Sequence, residues 1–269
     1  MKRLLIRPGA IGDLILSLPA LESLQTGYTE VWVSGPNVPL VRFAHRVRSI
    51  AATGLNLLGI TDPSARLLDE LRSFDSIISW YGANRPEFRE TVASLDLPFT
   101  FHQALPVGSD LSACSRPYGP RLHATDYYLE QVGCPPGAIP RIQCDAARER
   151  FAVIQPFSGS PRKNWPLEKF RALARGLERT MPVSWCAGRE DPPLAGAVRI
   201  DDLCDLACWL ARAGLYIGND SGITHLAAAV GTPVLALFGP TDPAVWAPRN
   251  THVRIARWNC ALSELPGLP

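Results

Sequence analysis

Charged and polar side chains gather in one short segment, residues 218–229 (GNDSGITHLAAA), which follows an apolar run. That order predicts a strand, a tight loop and a helix, with Ser221 or Asp220 as the helix cap. The free N–H groups at such a helix start bind anions, phosphate among them. The segment also carries a carboxylate, two hydroxyls and an imidazole, on Asp220, Ser221, Thr224 and His225. It is therefore a candidate site for a phosphorylated ligand.

A second loop, residues 7–13 (RPGAIGD), follows the first predicted strand. Gly9 and Gly12 would let a ligand approach the backbone closely, and Asp13 stands at the start of the next helix. A functional carboxylate and a simple helix cap, stabilised by the helix dipole, explain Asp13 equally well at this point.

A third loop, residues 158–166 (SGSPRKNWP), precedes a helix that should start at or near Pro166. Its hydroxyls, Ser158 included, and its adjacent cations, Lys163 included, suit a phosphate or diphosphate. Taken alone, a solvated basic loop is the favoured interpretation. A fourth, weaker candidate is residues 188–191 (GRED), where Glu190 could hold ribose hydroxyls.

Strands and helices alternate along the chain at the spacing of βαβ units, which predicts an α/β fold with parallel, doubly wound sheets. Because ligands sit at the carboxyl ends of such strands, all four loops fall where a site is expected. The Pro-rich stretch 133–140 is the best break, so we expect domains at 1–140 and 141–269. Predicted strands are 2–6, 30–34, 48–53, 75–80, 98–101, 151–155, 183–187, 198–200, 214–217, 234–238 and 252–255. Predicted helices cover 14–24, with Pro19 as a kink, and 38–45, 64–72, 86–95, 124–132, 167–180, 202–213 and 222–229, with a loop at 103–121.

Composition narrows the class of protein further. The net charge of +2 gives no reason to expect nucleic acid as a partner, and 46% hydrophobic residues supply a core. No apolar stretch is long enough to span a membrane, and the N-terminus does not resemble a signal peptide. We therefore expect a cytoplasmic protein. The seven cysteines form no CxxC pair, which favours free thiols over a metal site or a disulfide framework, at positions 114, 134, 144, 186, 204, 208 and 260.

Several enzyme classes lack their motifs here. No GxxxxGK[ST] loop occurs, and no GxGxxG follows the first strand, which disfavours P-loop ATPases and NAD-dependent dehydrogenases. The GxSxG and HExxH signatures are also absent.

The segment RPGAIGDLILSLPAL at 7–21 resembles the N-terminal signature of glycosyltransferase family 9, the ADP-heptose:lipopolysaccharide heptosyltransferases. KNWP at 163–166 is similar to the basic loop of that family. GNDSGITHLAAA at 218–229, with GTPV at 231–234 and FGPTDP at 238–243, resembles its donor-site signature. The motifs stand in the family's order and span most of the chain.

The resemblance implies a GT-B fold, in which two Rossmann-like doubly wound domains face a cleft. The acceptor would bind on the N-terminal domain and the nucleotide-sugar on the C-terminal one. It also implies a metal-independent, inverting transfer, with Asp13 as general base and Lys163 neutralising the leaving diphosphate. Donor contacts would come from Ser158, Lys163, Glu190, Asp220, Ser221, Gly222, Ile223, Thr224 and His225, and the acceptor-side loop would be Gly9, Gly12 and Asp13.

By the same resemblance, the chain needs no cofactor, and ADP-heptose is the expected donor. The expected acceptor is the lipopolysaccharide inner core, and the alternatives are another glycan or a small molecule. Peripheral contact at the inner face of the cytoplasmic membrane is compatible with such an acceptor. Two rival functions stay open: a non-catalytic nucleotide-sugar-binding module, and another GT-B enzyme such as a nucleotide-sugar 2-epimerase. Nucleoside diphosphate release from a nucleotide-sugar would separate the module from an enzyme.

Overall fold

The computed structural model describes residues 1–106 and 122–259, and its first half is built on a five-stranded parallel sheet. The strand order is β3-β2-β1-β4-β5, so β1 lies at the centre. The strands are β1 (Lys2–Ile6), β2 (Tyr28–Val33), β3 (Arg46–Ser49), β4 (Ser76–Ser79) and β5 (Phe99–Phe101). The helices of this part are α1 (Ile11–Ser23), α2 (Ala65–Arg72), α3 (Pro86–Ser94) and α4 (Ala124–Gln131).

The second half contains another five-stranded parallel sheet, with the order β10-β9-β8-β6-β7. Its strands are β6 (Ala152–Gln155), β7 (Val183–Trp185), β8 (Leu215–Asn219), β9 (Val234–Phe238) and β10 (Val253–Arg257). Its helices are α5 (Leu167–Leu177), α6 (Leu203–Arg212), α7 (Gly222–Ala229) and α8 (Pro243–Trp246). The expected α/β class with two doubly wound sheets is confirmed.

Each sheet reverses its winding once, between β1 and β4 in the first and between β6 and β8 in the second. In open parallel sheets ligands bind outside the carboxyl ends of the strands at such a reversal. The loops that follow β1, β6 and β8 carry Asp13, Lys163 and Asp220 respectively. The topology therefore delivers these three loops to the positions where this fold binds ligands.

One apolar core is shared by the two halves. Leu14 and Leu18 of α1 belong to the same buried cluster as Leu226 and Ala229 of α7. Helix α1 also packs closely on α4, which precedes the second sheet. Two smaller clusters fill the other face of each sheet, around Leu4 and Ile6 in the first half and Ile154 and Ile217 in the second. Because α1 and α7 pack directly on each other, the loops at their starts come into contact.

Two predicted elements are wrong. Residues 38–45 do not form an α-helix: a 3-10 helix, Gly35–Leu40, takes part of this stretch. The helical run begins at Gly35, so Pro39 falls in its interior and has no N–H to donate to the Gly35 carbonyl. Residues 198–200 do not form a strand, and Val198 makes an isolated bridge with Cys186 instead.

Other differences are smaller. Helix α1 runs without interruption through Pro19, where a kink is expected. The third strand begins and ends earlier than predicted and is followed by a 3-10 helix, Ile50–Ala52. Helix α8 is not among the predicted elements. Most of the predicted loop 103–121, together with Cys114 and Cys260, lies outside the described residues. Within the described ranges, no helix has the length and apolar character needed to cross a membrane.

Candidate active site

Asp13 lies in the first turn of α1, where it is half-buried. Ala10, not Asp13, is the N-cap residue, and the Asp13 Oδ2 atom accepts the Ala10 N–H at 3.2 Å. Gly9 has a φ of +147°, and a Cβ there would lie 3.3 Å from both Cβ and Oδ2 of Asp13. The loop thus packs its backbone against the carboxylate and needs glycine to do so.

Arg7 lies beneath this loop and is 1% exposed. Its guanidinium donates to the Ser17 hydroxyl at 3.2 Å, to the Asp13 carbonyl at 3.3 Å and to the Tyr128 hydroxyl at 2.9 Å. Tyr128 donates in turn to the Ala104 carbonyl at 3.0 Å. Burial raises the pKa of Tyr128 to about 12, so the hydroxyl stays protonated at neutral pH. This buried network fixes the backbone that carries Asp13.

The basic loop after β6 is held by Asn219, the last residue of β8. Its Oδ1 accepts the Trp165 N–H at 2.9 Å, and its Nδ2 donates to the Pro156 carbonyl at 2.8 Å. Both ends of the loop are therefore fastened to the strand that leads into Asp220. This attachment brings the Lys163 Nζ atom to 3.2 Å from Asp220 Oδ2.

Asp220 is the centre of a small polar cluster and is nearly buried. Its Oδ2 atom accepts a hydrogen bond from Thr241 Oγ1 at 2.8 Å in addition to the ion pair with Lys163. Its Oδ1 atom lies 3.9 Å from Nε2 of His225, beyond hydrogen-bond distance. One carboxylate oxygen is thus fully used, while the other keeps capacity for a ligand hydroxyl.

His225 is buried between Asp220 and the first half of the chain. A Cβ on Gly12 would lie 3.1 Å from the imidazole Cδ2 atom, so the ring packs on the Gly12 backbone. Burial lowers the pKa of His225 to about 4, against a smaller raising effect of Asp220. The imidazole is therefore neutral near pH 7 and can either donate or accept a hydrogen bond.

Ser221 is the N-cap of α7, and its hydroxyl accepts the Thr224 N–H at 3.3 Å. Thr224 is fully buried and its hydroxyl bonds to Ser221 and to the Asn219 carbonyl. In the part of the chain that the structure describes, no group accepts the N–H of Ser221, Gly222 or Ile223. These free donors are the physical basis of an anion site.

The start of α1 presents free donors in the same region. No described group accepts the N–H of Ile11, Gly12 or Asp13. A Cβ on Gly222 would lie 2.8 Å from Ile11 Cβ and 3.1 Å from the Gly12 nitrogen, so the two helix starts touch. Each helix start carries a partial positive charge, and placing two together favours an anion between or beside them.

Two predicted donor contacts lie apart from this cluster. The Ser158 hydroxyl bonds within its own loop, to Asn164 Oδ1 at 2.7 Å and the Ser160 carbonyl at 2.9 Å. Glu190 is exposed after β7, while its neighbour Asp191 accepts the Gly188 N–H at 2.6 Å. Neither Ser158 nor Glu190 bonds to the Asp220 cluster in the described residues.

Three side chains that could bind a metal ion lie close together at the start of α6. Oxygen and sulfur atoms of Asp202, Cys204 and Asp205 lie within 4.8 Å of one another. The Asp202 carboxylate accepts two N–H groups as the helix cap, and Cys204 accepts from Arg42. These residues already have structural partners, and they belong to α6 rather than to the loops around Asp220.

Four residues of the site had no role assigned from the sequence: Arg7, Tyr128, Asn219 and Thr241. Arg7 and Tyr128 are separated by 121 positions, and nothing local in the sequence pairs them. The position of Asn219 could have indicated a role in the site, since it is a polar residue at the end of an apolar strand, directly before Asp220.

Comparison with known proteins finds similarity to heptosyltransferases. The family model described as glycosyltransferase family 9 (heptosyltransferase) matches residues 138–265. Lipopolysaccharide heptosyltransferase 3 of Escherichia coli K12 is 22% identical over 95% of this chain and 87% of its own length.

Solved structures share the fold over nearly the whole chain. The E. coli ADP-heptose lipopolysaccharide heptosyltransferase II superposes with a TM-score of 0.70 at 16% identity, covering 95% of this chain and 90% of that one. The E. coli heptosyltransferase WaaC with ADP gives a TM-score of 0.65 at 20% identity, covering 96% and 93%. The expected GT-B fold is therefore confirmed.

Proposed function

We propose that the chain is a glycosyltransferase of family 9, whose model matches residues 138–265, and that it transfers heptose from ADP-heptose to a sugar of the lipopolysaccharide inner core. The activities of its relatives support this donor and acceptor, since they include a lipopolysaccharide heptosyltransferase and an ADP-heptose lipopolysaccharide heptosyltransferase. The observation that carries the proposal is the contact between the starts of α1 and α7. It places the Asp13 carboxylate, proposed to act on the acceptor, beside the start of α7, proposed to bind the donor diphosphate.

The donor diphosphate would bind at the start of α7. The free N–H groups of Ser221, Gly222 and Ile223 supply donors there, and Lys163 supplies a full positive charge close by. Charge that develops on the leaving ADP is stabilised best by donors that are already in place. Lys163 and these amides together can serve that role, so we propose a transfer that requires no metal ion.

Asp220 would hold hydroxyls of the donor sugar through its Oδ1 atom, since Oδ2 is occupied by Thr241 and Lys163. His225, neutral and adjacent, offers a further donor or acceptor to the same ligand. Thr224 contributes indirectly, because its buried hydroxyl stabilises the turn that presents Ser221 and Gly222.

Asp13 would act as the general base on the acceptor hydroxyl. An ionised carboxylate can take the proton as the oxygen attacks the anomeric carbon, while ADP departs on the opposite side. Displacement from opposite sides inverts the configuration at that carbon. Gly9 and Gly12 keep this loop open to the acceptor, and Arg7 fixes the backbone of Asp13 from below.

The two halves would divide this work as domains 1–140 and 141–269. The first carries the acceptor loop, and the second carries the donor contacts. We further propose that the enzyme acts at the inner face of the cytoplasmic membrane, where a lipid-linked acceptor would be held. Ser158 and Glu190 keep their proposed donor roles only if their loops turn toward the ligand, because neither now bonds to the Asp220 cluster.

The test is ADP release from ADP-heptose, measured with and without a lipopolysaccharide acceptor that lacks inner-core heptose. We expect release that depends on the acceptor, an inverted linkage by NMR, and no loss of activity in EDTA. ADP-glucose and GDP-mannose serve as donor controls. Binding of ADP-heptose without release on any acceptor would contradict the proposal and favour a nucleotide-sugar-binding module.

A further inference from the structure

Three cysteines meet away from the proposed donor site, where the chain segment 141–149 packs beside α6. Cys204 and Cys208 lie one turn apart on α6, and Cys144 comes from the packed segment. The Cys208 thiol donates to the Cys144 sulfur, with 3.8 Å between the two Sγ atoms. A disulfide needs about 2.05 Å between sulfurs, so the two sulfurs would have to approach each other by a little under 2 Å.

A cation from the first half of the chain stands beside these thiols. Arg42 donates to Cys204 Sγ at 2.7 Å and to the Gln143 carbonyl at 3.0 Å. Its guanidinium interacts electrostatically with the sulfurs of Cys144, Cys204 and Cys208. Positive charge near cysteines favours the thiolate, which is the nucleophile in thiol–disulfide exchange.

Small molecules can reach one member of the pair. An open groove of about 340 Å³ runs between segment 141–149 and α6, and its lining includes Asp145, Glu149, Asp205, Cys208, Trp209 and Arg212. Cys144 does not line this groove, and burial raises the pKa of its thiol to about 11. Cys208 is therefore the thiol that meets an incoming reagent first.

We propose that Cys144 and Cys208 are a redox pair that forms a reversible disulfide when a small disulfide such as oxidised glutathione enters the groove. The Cys208 thiolate attacks one glutathione sulfur and releases one glutathione thiolate. Cys144 then gives its proton to solvent and attacks the Cys208 sulfur, releasing the second glutathione. Two electrons pass from the protein thiols to glutathione, so the exchange balances.

The disulfide would fasten segment 141–149 to α6 between two existing attachments. Ile142 N–H donates to the Ala229 carbonyl at 3.0 Å, and Glu149 N–H donates to the Arg212 carbonyl at 2.6 Å. These two hydrogen bonds hold the segment that carries Cys144 close to α6 and α7. A cross-link between positions 144 and 208 also reduces the freedom of the unfolded chain, which stabilises the folded one.

The experiment treats the full chain with oxidised glutathione, quenches free thiols with iodoacetamide and maps the peptides by mass spectrometry. We expect a Cys144–Cys208 cross-linked peptide that disappears on reduction, together with a higher melting temperature of the oxidised chain. Cys204→Ser should keep the cross-link, whereas Cys144→Ser should lose it and retain glutathione on Cys208.

Other outcomes would overturn the proposal. A cross-link between Cys204 and Cys208, stable glutathione adducts on the wild-type chain, or complete alkylation of Cys144 and Cys208 after oxidation would each do so. None of these readouts uses the glycosyltransferase activity, so a failure here is separate from a failure of the proposed function.

Discussion

Gly222 and Gly12 lie against each other at the starts of two helices that belong to different halves of the chain. A Cβ on Gly222 would lie 2.8 Å from Ile11 Cβ and 3.1 Å from the Gly12 nitrogen. The absence of a side chain at position 222 is thus what lets the loop before α1 touch the start of α7.

Gly222→Ala should therefore push the two loops apart. We expect the free energy of unfolding to fall by about 1–3 kcal/mol, as for other overpacked buried sites, and the turnover number to fall with it. Denaturant unfolding and ADP release measure the two effects. Gly176→Ala is the matched control, because Gly176 is helical and has open space around its Cα. Its stability should be unchanged or rise by up to about 1 kcal/mol. Equal behaviour of the two variants would contradict the importance of this contact.

Asp13→Asn should separate the proposed chemical role of Asp13 from its structural one. The amide oxygen of Asn can still accept the Ala10 N–H, so the helix start keeps its hydrogen bond. A positioned general base contributes about a hundred- to ten-thousand-fold, and we expect turnover to fall within that range. Affinity for ADP, measured by calorimetry, should change little. Turnover close to that of the wild type would remove Asp13 from the role of base.

Lys163→Ala should weaken ADP binding about tenfold or more, since hydrogen bonds to charged groups contribute about 1.5–3 kcal/mol. Arg162→Ala is the control, because it removes the same charge from the adjacent, exposed position. Isothermal titration calorimetry with ADP compares the two. The prediction fails if both variants lose affinity equally, which would point to a diffuse effect of loop charge.

His225 predicts a pH dependence of stability. Its pKa is lowered to about 4 in the folded chain, first by burial, from an ordinary value of 6.5. Between these values the unfolded chain binds the extra proton, so the free energy of unfolding should fall as pH drops from about 6.5 to 4. The contribution of this group approaches about 3 kcal/mol at 1.36 kcal/mol per pKa unit.

Comparison of wild type with His225→Gln tests this contribution, since groups away from position 225 and its charged neighbours Asp220, His123 and Lys163 are the same in both chains. The difference in unfolding free energy between the two chains should shrink as pH falls through that window. His252→Gln, at an exposed position, should follow the wild-type curve. Parallel curves for wild type and His225→Gln would show that the imidazole is not held neutral.

Local sequence was enough to predict the elements whose ends are set by their own residues. Ser64 and Asp202, polar residues directly before apolar helical patterns, cap α2 and α6, and Ser221 rather than Asp220 caps α7. The alternation of strands and helices predicted both sheets. The prediction of an α-helix at 38–45 was wrong. Its apolar residues suggested a helix, but the chain forms a short 3-10 helix that contains Pro36 and Pro39.

The candidate site could be predicted only in part. The loops around Asp13, Lys163 and Asp220 were visible as polar segments after apolar strands. Their mutual contacts depend on how two sheets pack, which no short window of sequence encodes. Arg7 needs Tyr128, and Asp220 needs Thr241, 21 positions later, to complete its hydrogen bonds. Such partners become apparent only when the chain is folded.

The contacts of helix α4 bear on the order in which parts of the chain reach their final structure during synthesis. Tyr128 on α4 accepts a hydrogen bond from Arg7 beneath the Asp13 loop. Asp126 on the same helix forms a bidentate ion pair with Arg249, and both of its hydrogen bonds are 2.6 Å long. During synthesis the first sheet can pair its strands before α4 leaves the ribosome, yet the buried guanidinium of Arg7 then lacks its phenolic partner. We therefore expect the Asp13 loop to gain this contact when α4 docks on α1, and α4 to gain its ion pair after Arg249 has been synthesised. The loop that carries Asp13, although encoded first, is therefore expected to be among the last parts of the chain to reach its final form.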